Sequence, residues 1–206
     1  MAASAPGTAP GSNPPPQPNY PAVYSLSLDP TSHVATATGI FSDEATAVVA
    51  NMGPTSGHTT TLGLTDPDST EVVPLQAARF DGDFVLDSQG DQQQIYVHDP
   101  GTTGQVLNVL SLSQSIDDTG WATTTNGTLF MTDHANNLVD VLHAHFDPGT
   151  AYVAVTPCNA NSAPPTCTTP NYLGTINLYS GAVNPVNLGA EMVQPVGLTF
   201  LGAPGG

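Results

Sequence analysis

The sequence predicts an all-β, β-propeller-like fold, about four blades' worth of short antiparallel strands in an incomplete ring. Three observations predict it. Apolar and polar residues alternate with period two in short runs broken by Gly, Pro, Asn and Asp. No stretch holds a helical period beyond about two turns. A strand–turn–strand unit also recurs: Ile95-Tyr96-Val97-His98-Asp99 is matched 34 residues later by Leu129-Phe130-Met131-Thr132-Asp133.

Along the chain, residues 1–21 (MAASAPGTAPGSNPPPQPNYP) cannot bury a core face and read as a Pro-, Ala- and Ser-rich linker. The propeller-like domain is expected over 22–206. Residues 22–29 (AVYSLSLD) alternate, Asp29-Pro30-Thr31-Ser32 turn, and 33–40 return as a hairpin. Strands follow at 45–51, 59–66 and 70–75, where Pro74 marks an edge or an end. The first repeat unit is 84–88, 94–98 and 106–112. The second is 121–124, 128–132 and 138–145. Strands at 150–156, 172–178, 182–188 and 196–201 complete the series. Many short strands at regular spacing fit a sandwich, a barrel or a propeller, and the repeat favours the propeller.

The blade pattern is densest at residues 128–139 (TLFMTDHANNLV), where a glycine turn leads into a strand ending in Asp, an Asn-rich turn and another strand. This resembles the blade signature of the NHL, SMP-30/gluconolactonase and YncE-like β-propellers. Residues 83–112 and 117–146 carry the resemblance best, and 147–201 more loosely. Such rings usually have six or more blades of about 40–50 residues. The resemblance therefore implies a fragment, a self-assembling partial ring or an unusually small propeller, with the fragment favoured; an unclosed ring would expose sheet faces and edges that need a partner. The metal ligands of SMP-30-like lactonases have no residue-by-residue counterpart here.

Charge excludes whole classes of function. Asp and Glu total 17 against one Lys or Arg, Arg79, for a net charge of −16. Phosphate backbones and anionic membranes are met with Lys and Arg, so neither nucleic acid nor a membrane surface is an expected partner. P-loop and pyridoxal chemistry both need a lysine that the chain lacks. With no apolar run of about 20 residues, membrane insertion is not expected either. Charged residues are only 9 % of the chain, so the surface is mostly uncharged polar, which suits a secreted or cell-surface protein. Cys158 and Cys167 flank a Pro-rich loop and are expected to form a disulfide, which also points to an oxidising compartment. Residues 1–21 lack a basic n-region and an apolar h-region, so a secreted chain would need a leader lying elsewhere.

The candidate chemistry is acidic. Asp81 and Asp83 precede one expected inner strand, and Asp117 and Asp118 precede another. At the mouth of a propeller these four could bind Ca²⁺, the one cofactor the sequence suggests; the competing expectation is that they cap strand ends. Asp66 and Asp68 read as a turn. His143 and His145 fall on one strand face and, with His134 or Asp147, could approach a metal, although two solvent-facing histidines are the plainer reading. Asp99 and Asp133 read as turn caps. No Gly-x-Ser-x-Gly, HExxH or GxGxxG pattern is present. The leading expectation is a non-catalytic module binding a protein or carbohydrate. The alternatives are a Ca²⁺-dependent hydrolase or lactonase and a structural cell-surface protein.

Overall fold

A computed structural model of the chain describes residues 21–158, 168–189 and 193–203. The expected linker falls outside them except for Pro21, and Cys167 falls outside as well. The described residues are all-β. Their strands are β1 (Pro21–Asp29), β2 (Val34–Ser42), β3 (Thr46–Val49), β4 (Thr59–Thr61), β5 (Pro67–Val72), β6 (Phe84–Ser88), β7 (Gln93–His98) and β8 (Val106–Ser111), followed by β9 (Ile116–Trp121), β10 (Asn126–Asp133), β11 (Leu138–His145), β12 (Ala151–Val155), β13 (Tyr172–Ile176), β14 (Val183–Pro185) and β15 (Pro195–Gly202).

These strands make a two-stranded ribbon (β1-β2) and three larger sheets, ordered β4-β3-β8-β7-β6-β5, β14-β13-β12-β9 and β11-β10-β15. Neighbours are antiparallel except β3 and β8. Pro67 opens β5, an edge strand, where its missing N–H costs no ladder bond.

Period-two alternation stacks the sheets. In β12, Val153 and Val155 face the six-stranded sheet with Ile116 and Trp121, meeting Val85, Tyr96 and Leu110. Ala154, between them, points the other way, toward Leu129, Met131 and Leu198 of the three-stranded sheet. The opposite face of the six-stranded sheet (Leu86, Ile95, Val97, Val109) is covered by Ala22, Val23 and Phe41 at the base of the ribbon and by Leu62 and Leu64.

The first repeat unit forms as expected: β6, β7 and β8 are consecutive antiparallel neighbours. The second does not form a sheet of its own. β10 and β11 pair as a hairpin, but β9 pairs with β12 and β10 takes β15 as its other neighbour. The backbone explains the departure. Beyond β9, Ala122 N–H donates to Thr150 O and Gly149 N–H to Ala122 O. The β9–β12 ladder thus continues past the strand ends, and the β10–β11 hairpin is an excursion between its two halves. The described residues form no closed ring of sheets.

Two devices lock the first two sheets together. Arg79 Nη1 donates to Ala50 O (2.8 Å) and Leu178 O (3.0 Å), one carbonyl from each side of the junction. Its guanidinium also lies 4.4 Å from the Phe80 ring centre, and Phe80 stacks on buried Tyr96. The second device is Gly181, at φ +74° in the β13–β14 turn, where an added Cβ would lie 1.8 Å from Ser111 O. Only glycine tolerates both that conformation and that approach.

Candidate functional site

The edge strands of the three larger sheets, β5, β9 and β15, run close beside one another. Hydrogen bonds stitch the seam. Asp118 Oδ2 accepts from Leu198 N–H of β15 (2.7 Å) and its Oδ1 from Thr119 N–H (2.8 Å). Gly120 makes the approach possible, because a Cβ there would sit 3.2 Å from Leu198 Cβ. Behind Asp118, in the β5–β6–β7–β9 layer, lies Asp87, which is 2 % exposed. Its Oδ2 accepts from the hydroxyls of Ser69 (2.8 Å) and Thr119 (2.7 Å), and its Oδ1 from Gln94 Nε2 (2.8 Å). Gln94 Oε1 in turn accepts from Tyr96 OH. Toward solvent, Asp117 Oδ1 accepts from Gln89 Nε2 (2.8 Å).

Five carboxyl groups thus share one seam: Asp68 and Glu71 of β5, Asp87 of β6, and Asp117 and Asp118 of β9. Arg79, the only arginine, is committed elsewhere. Burial pushes Asp87 up to about 7, against the pull of its three donors and with Asp118 adding to the rise. Asp117 is pushed up to about 7 by burial and by its hydrogen bond with Asp68. Burial also raises Asp118, and raises Glu71 with help from Asp118. With no lysine or arginine at the seam, protons do the neutralising.

The four aspartates expected at one mouth are divided. Asp117 and Asp118 lie on this seam. Asp83 stands just before β6 and is bonded to His98 Nδ1 (2.8 Å) at the end of β7. Asp117 instead meets Gln89, just past the other end of β6, so the two pairs are separated by that strand's length, roughly 17–20 Å. Asp81 belongs with the Asp83 end, where its charge helps raise His98; the larger causes there are the Asp83 hydrogen bond and the Asp99 charge. Among the described residues, no three His, Cys, Asp or Glu side chains are arranged to hold one metal ion.

Asp133 is a turn cap. It accepts from Asn136 N–H (3.0 Å), Asn136 Nδ2 (2.8 Å) and Gln194 N–H (3.2 Å). Burial pushes its carboxyl up, but these bonds win and hold it below the ordinary value. Asp99 takes a left-handed φ of 48°, and its carbonyl accepts from Thr102. His143 and His145 share the outward face of β11, opposite Thr128 and Asn126, and His143 Nδ1 lies 2.9 Å from Thr128 Oγ1. Cys158 follows β12; its expected partner Cys167 lies outside the described residues.

Sequence reasoning took Asp68 for a turn residue, whereas it lies in β5, and missed Glu71 and Asp87. The available signal was Asp87 itself, a carboxylate directly after the apolar run Phe84-Val85-Leu86 on the same strand, which has to be paired or protonated if that strand is central.

No protein-family model, curated protein or solved structure matches the chain.

Proposed function

We propose that this chain is a non-catalytic, extracytoplasmic binding module of blade-like sheets that docks a partner protein on the outward face of β11-β10-β15. One observation carries the reading. The outward positions of that sheet are Asn126, Thr128, Phe130 and Thr132 on β10, Val139, Val141, His143 and His145 on β11, and Gly197, Thr199 and Leu201 on β15. Val139, Val141 and Leu201 are exposed, and none of the eleven is a carboxylate although the chain has 17. A sheet face that exposes Val139, Val141 and Leu201 among threonines and histidines, with no carboxylate, fits a protein better than a carbohydrate. The sparse surface charge and the Cys158/Cys167 pair support placement outside the cytoplasm. The test is uptake of a neutral apolar dye, Nile red, by the folded chain. Enhanced emission that largely disappears in Val141→Asp supports the reading. No uptake, or uptake indifferent to that substitution, overturns it.

Asp117, pushed up to about 7 beside Asp68, favours a second reading, a hydrolase in which it serves acid–base chemistry near neutral pH, with Ca²⁺ as the candidate cofactor. A calcium titration followed by thermal melting addresses the metal-dependent form. Stabilisation that Asp118→Asn abolishes supports it, and no shift at millimolar Ca²⁺ removes it.

A further inference from the structure

The imidazole of His98 stands among carboxyl groups at the end of β6 and β7 away from Asp117. The β6–β7 register sets Phe84 opposite Val97. Carried on by one residue, it brings Asp83 opposite His98, and directly opposed side chains share a face. Asp83 is 5 % exposed, and its Oδ1 lies 2.8 Å from His98 Nδ1. An ionised carboxylate can only accept, so Nδ1 carries the hydrogen and donates it. In the neutral ring the lone pair is then on Nε2, and the His98 side chain is 59 % exposed.

Neighbours along a strand point to opposite faces, so Asp99 would turn away from His98 if β7 ran on. It does not run on. Asp99 takes a left-handed φ of 48° and opens the turn Asp99-Pro100-Gly101-Thr102, its carbonyl accepting from Thr102 N–H (3.2 Å) and Thr102 Oγ1 (2.9 Å). The Asp99 carboxylate thereby comes back beside the ring, with Oδ2 3.6 Å from Nε2. That separation is too long for a hydrogen bond. It suits two ligands of one ion: bonds of about 2.1 Å at a tetrahedral angle set a nitrogen and an oxygen about 3.4 Å apart. Charge points the same way. Asp81, Asp83 and Asp99 all act on His98, and a protonated ring would offset only one of the three. Arg79 is committed elsewhere.

We propose that His98 Nε2 and the Asp99 carboxylate bind a divalent transition-metal ion, with Asp83 holding the ring in the ligating tautomer from behind and water completing the shell. A carboxylate behind a metal-binding histidine fixes the ring and raises its basicity. The donor set selects the ion. Imidazole with one carboxylate suits Zn²⁺ and its first-row neighbours, and falls far short of the roughly six to eight oxygens that Ca²⁺ takes. The site is independent of the docking face and of the carboxyl seam.

The test is a calorimetric Zn²⁺ titration of the full chain at pH 8, since ligation needs the imidazole without its second proton, together with ¹⁵N NMR of the histidine rings. Wild type is expected to bind Zn²⁺, and saturation to shift His98 Nε2 while Nδ1 keeps its proton. His98→Ala and Asp99→Asn alter exposed side chains. Each is expected to keep the wild-type circular dichroism spectrum and to weaken binding about tenfold or more. Asp83→Asn is expected to weaken it about tenfold and to free the tautomer, so that Zn²⁺ shifts either ring nitrogen; a merely structural role would leave the shift on Nε2. The double variant His143→Ala, His145→Ala removes the histidine pair of β11 and is expected to bind as wild type does. Millimolar Ca²⁺ is expected not to compete. Absence of Zn²⁺ binding, binding that survives His98→Ala, or binding lost in the His143/His145 variant overturns the proposal.

Discussion

Asp87→Asn is expected to make the protein more stable at pH 8 and to leave it nearly unchanged at pH 4. The folded state holds the Asp87 proton to about 7 against an ordinary 3.8. Between those values the folded chain keeps a proton that the unfolded chain has released. The contribution is fully present below 3.8, falls by about 1.4 kcal/mol per pH unit, and is gone above about 7. The whole effect is about 4 kcal/mol, a large part of a domain's stability. Asparagine cannot ionise, and its amide still meets Ser69, Thr119 and Gln94, with the hydroxyls free to turn and accept. Urea denaturation from pH 4 to 8.5, at low and high salt, reads the difference between wild type and variant. Taking that difference removes the slope shared by all other carboxyl groups. Salt separates the remainder, since repulsion across the surface is screened and the cost of burying one charge is not. Parallel pH profiles, or a variant less stable than wild type at pH 8, would refute the argument.

Other perturbations test the rest of the frame. Arg79→Ala should cost about 2–4 kcal/mol in urea, because two carbonyls lose a charged donor and Phe80 loses its cation; Arg79→Lys should recover less than half. Gly181→Ala should cost about 2–4 kcal/mol and lower the melting temperature, since the turn must leave φ +74° or push Ser111 away. Asp133→Ala should have its greatest cost at neutral pH and a shrinking one in acid. The Asp133 carboxyl is held below its ordinary value, so its stabilisation is present above the unfolded pKa and is lost as pH falls through the folded one.

Most strands were legible because they show on the surface of the sequence. Residues 138–145 and 84–88 coincide with β11 and β6, since alternation and turn residues are local signals. β9 was misplaced to 121–124 because its true residues, Ile116-Asp117-Asp118-Thr119-Gly120-Trp121, include two aspartates and a glycine, all poor strand formers. Those residues are strand because of distant partners: Ala151 to Val155 pair with them, and Leu198 donates to Asp118. The same distance hid the topology. A repeat announces that β10 resembles β7, but it says nothing of whether β9 or β15 will lie beside it. The site was half legible. Asp117 and Asp118 stood out as neighbours in sequence, whereas Asp68 and Asp87 reach them only through sheet packing.

Asp87 and Asp133 show what decides whether a buried carboxyl is charged in a chain with one arginine. Both have little exposed surface and both accept several hydrogen bonds, but Asp87 lies deep between the sheets whereas Asp133 sits at a turn near the surface, and they shift in opposite directions, first because burial weighs far more on Asp87. Asp133 sits at a turn whose backbone N–H groups, from Asn136 and Gln194, are fixed dipoles aimed at the carboxylate. Asp87 has side-chain donors, two of them hydroxyls that can rotate away, and a second carboxyl, Asp118, close enough to repel it. Fixed dipoles stabilise a charge without reorganising, while rotatable hydroxyls serve a protonated carboxyl equally well. The seam is therefore set for protons rather than for salt bridges, and acidification should tighten the contact between sheets that ionisation strains. The outward face of β11-β10-β15 has no such carboxyl group. Its docking should respond to salt and to Val141→Asp but hardly to pH between 7 and 8, the range just above the loss of the Asp87 proton.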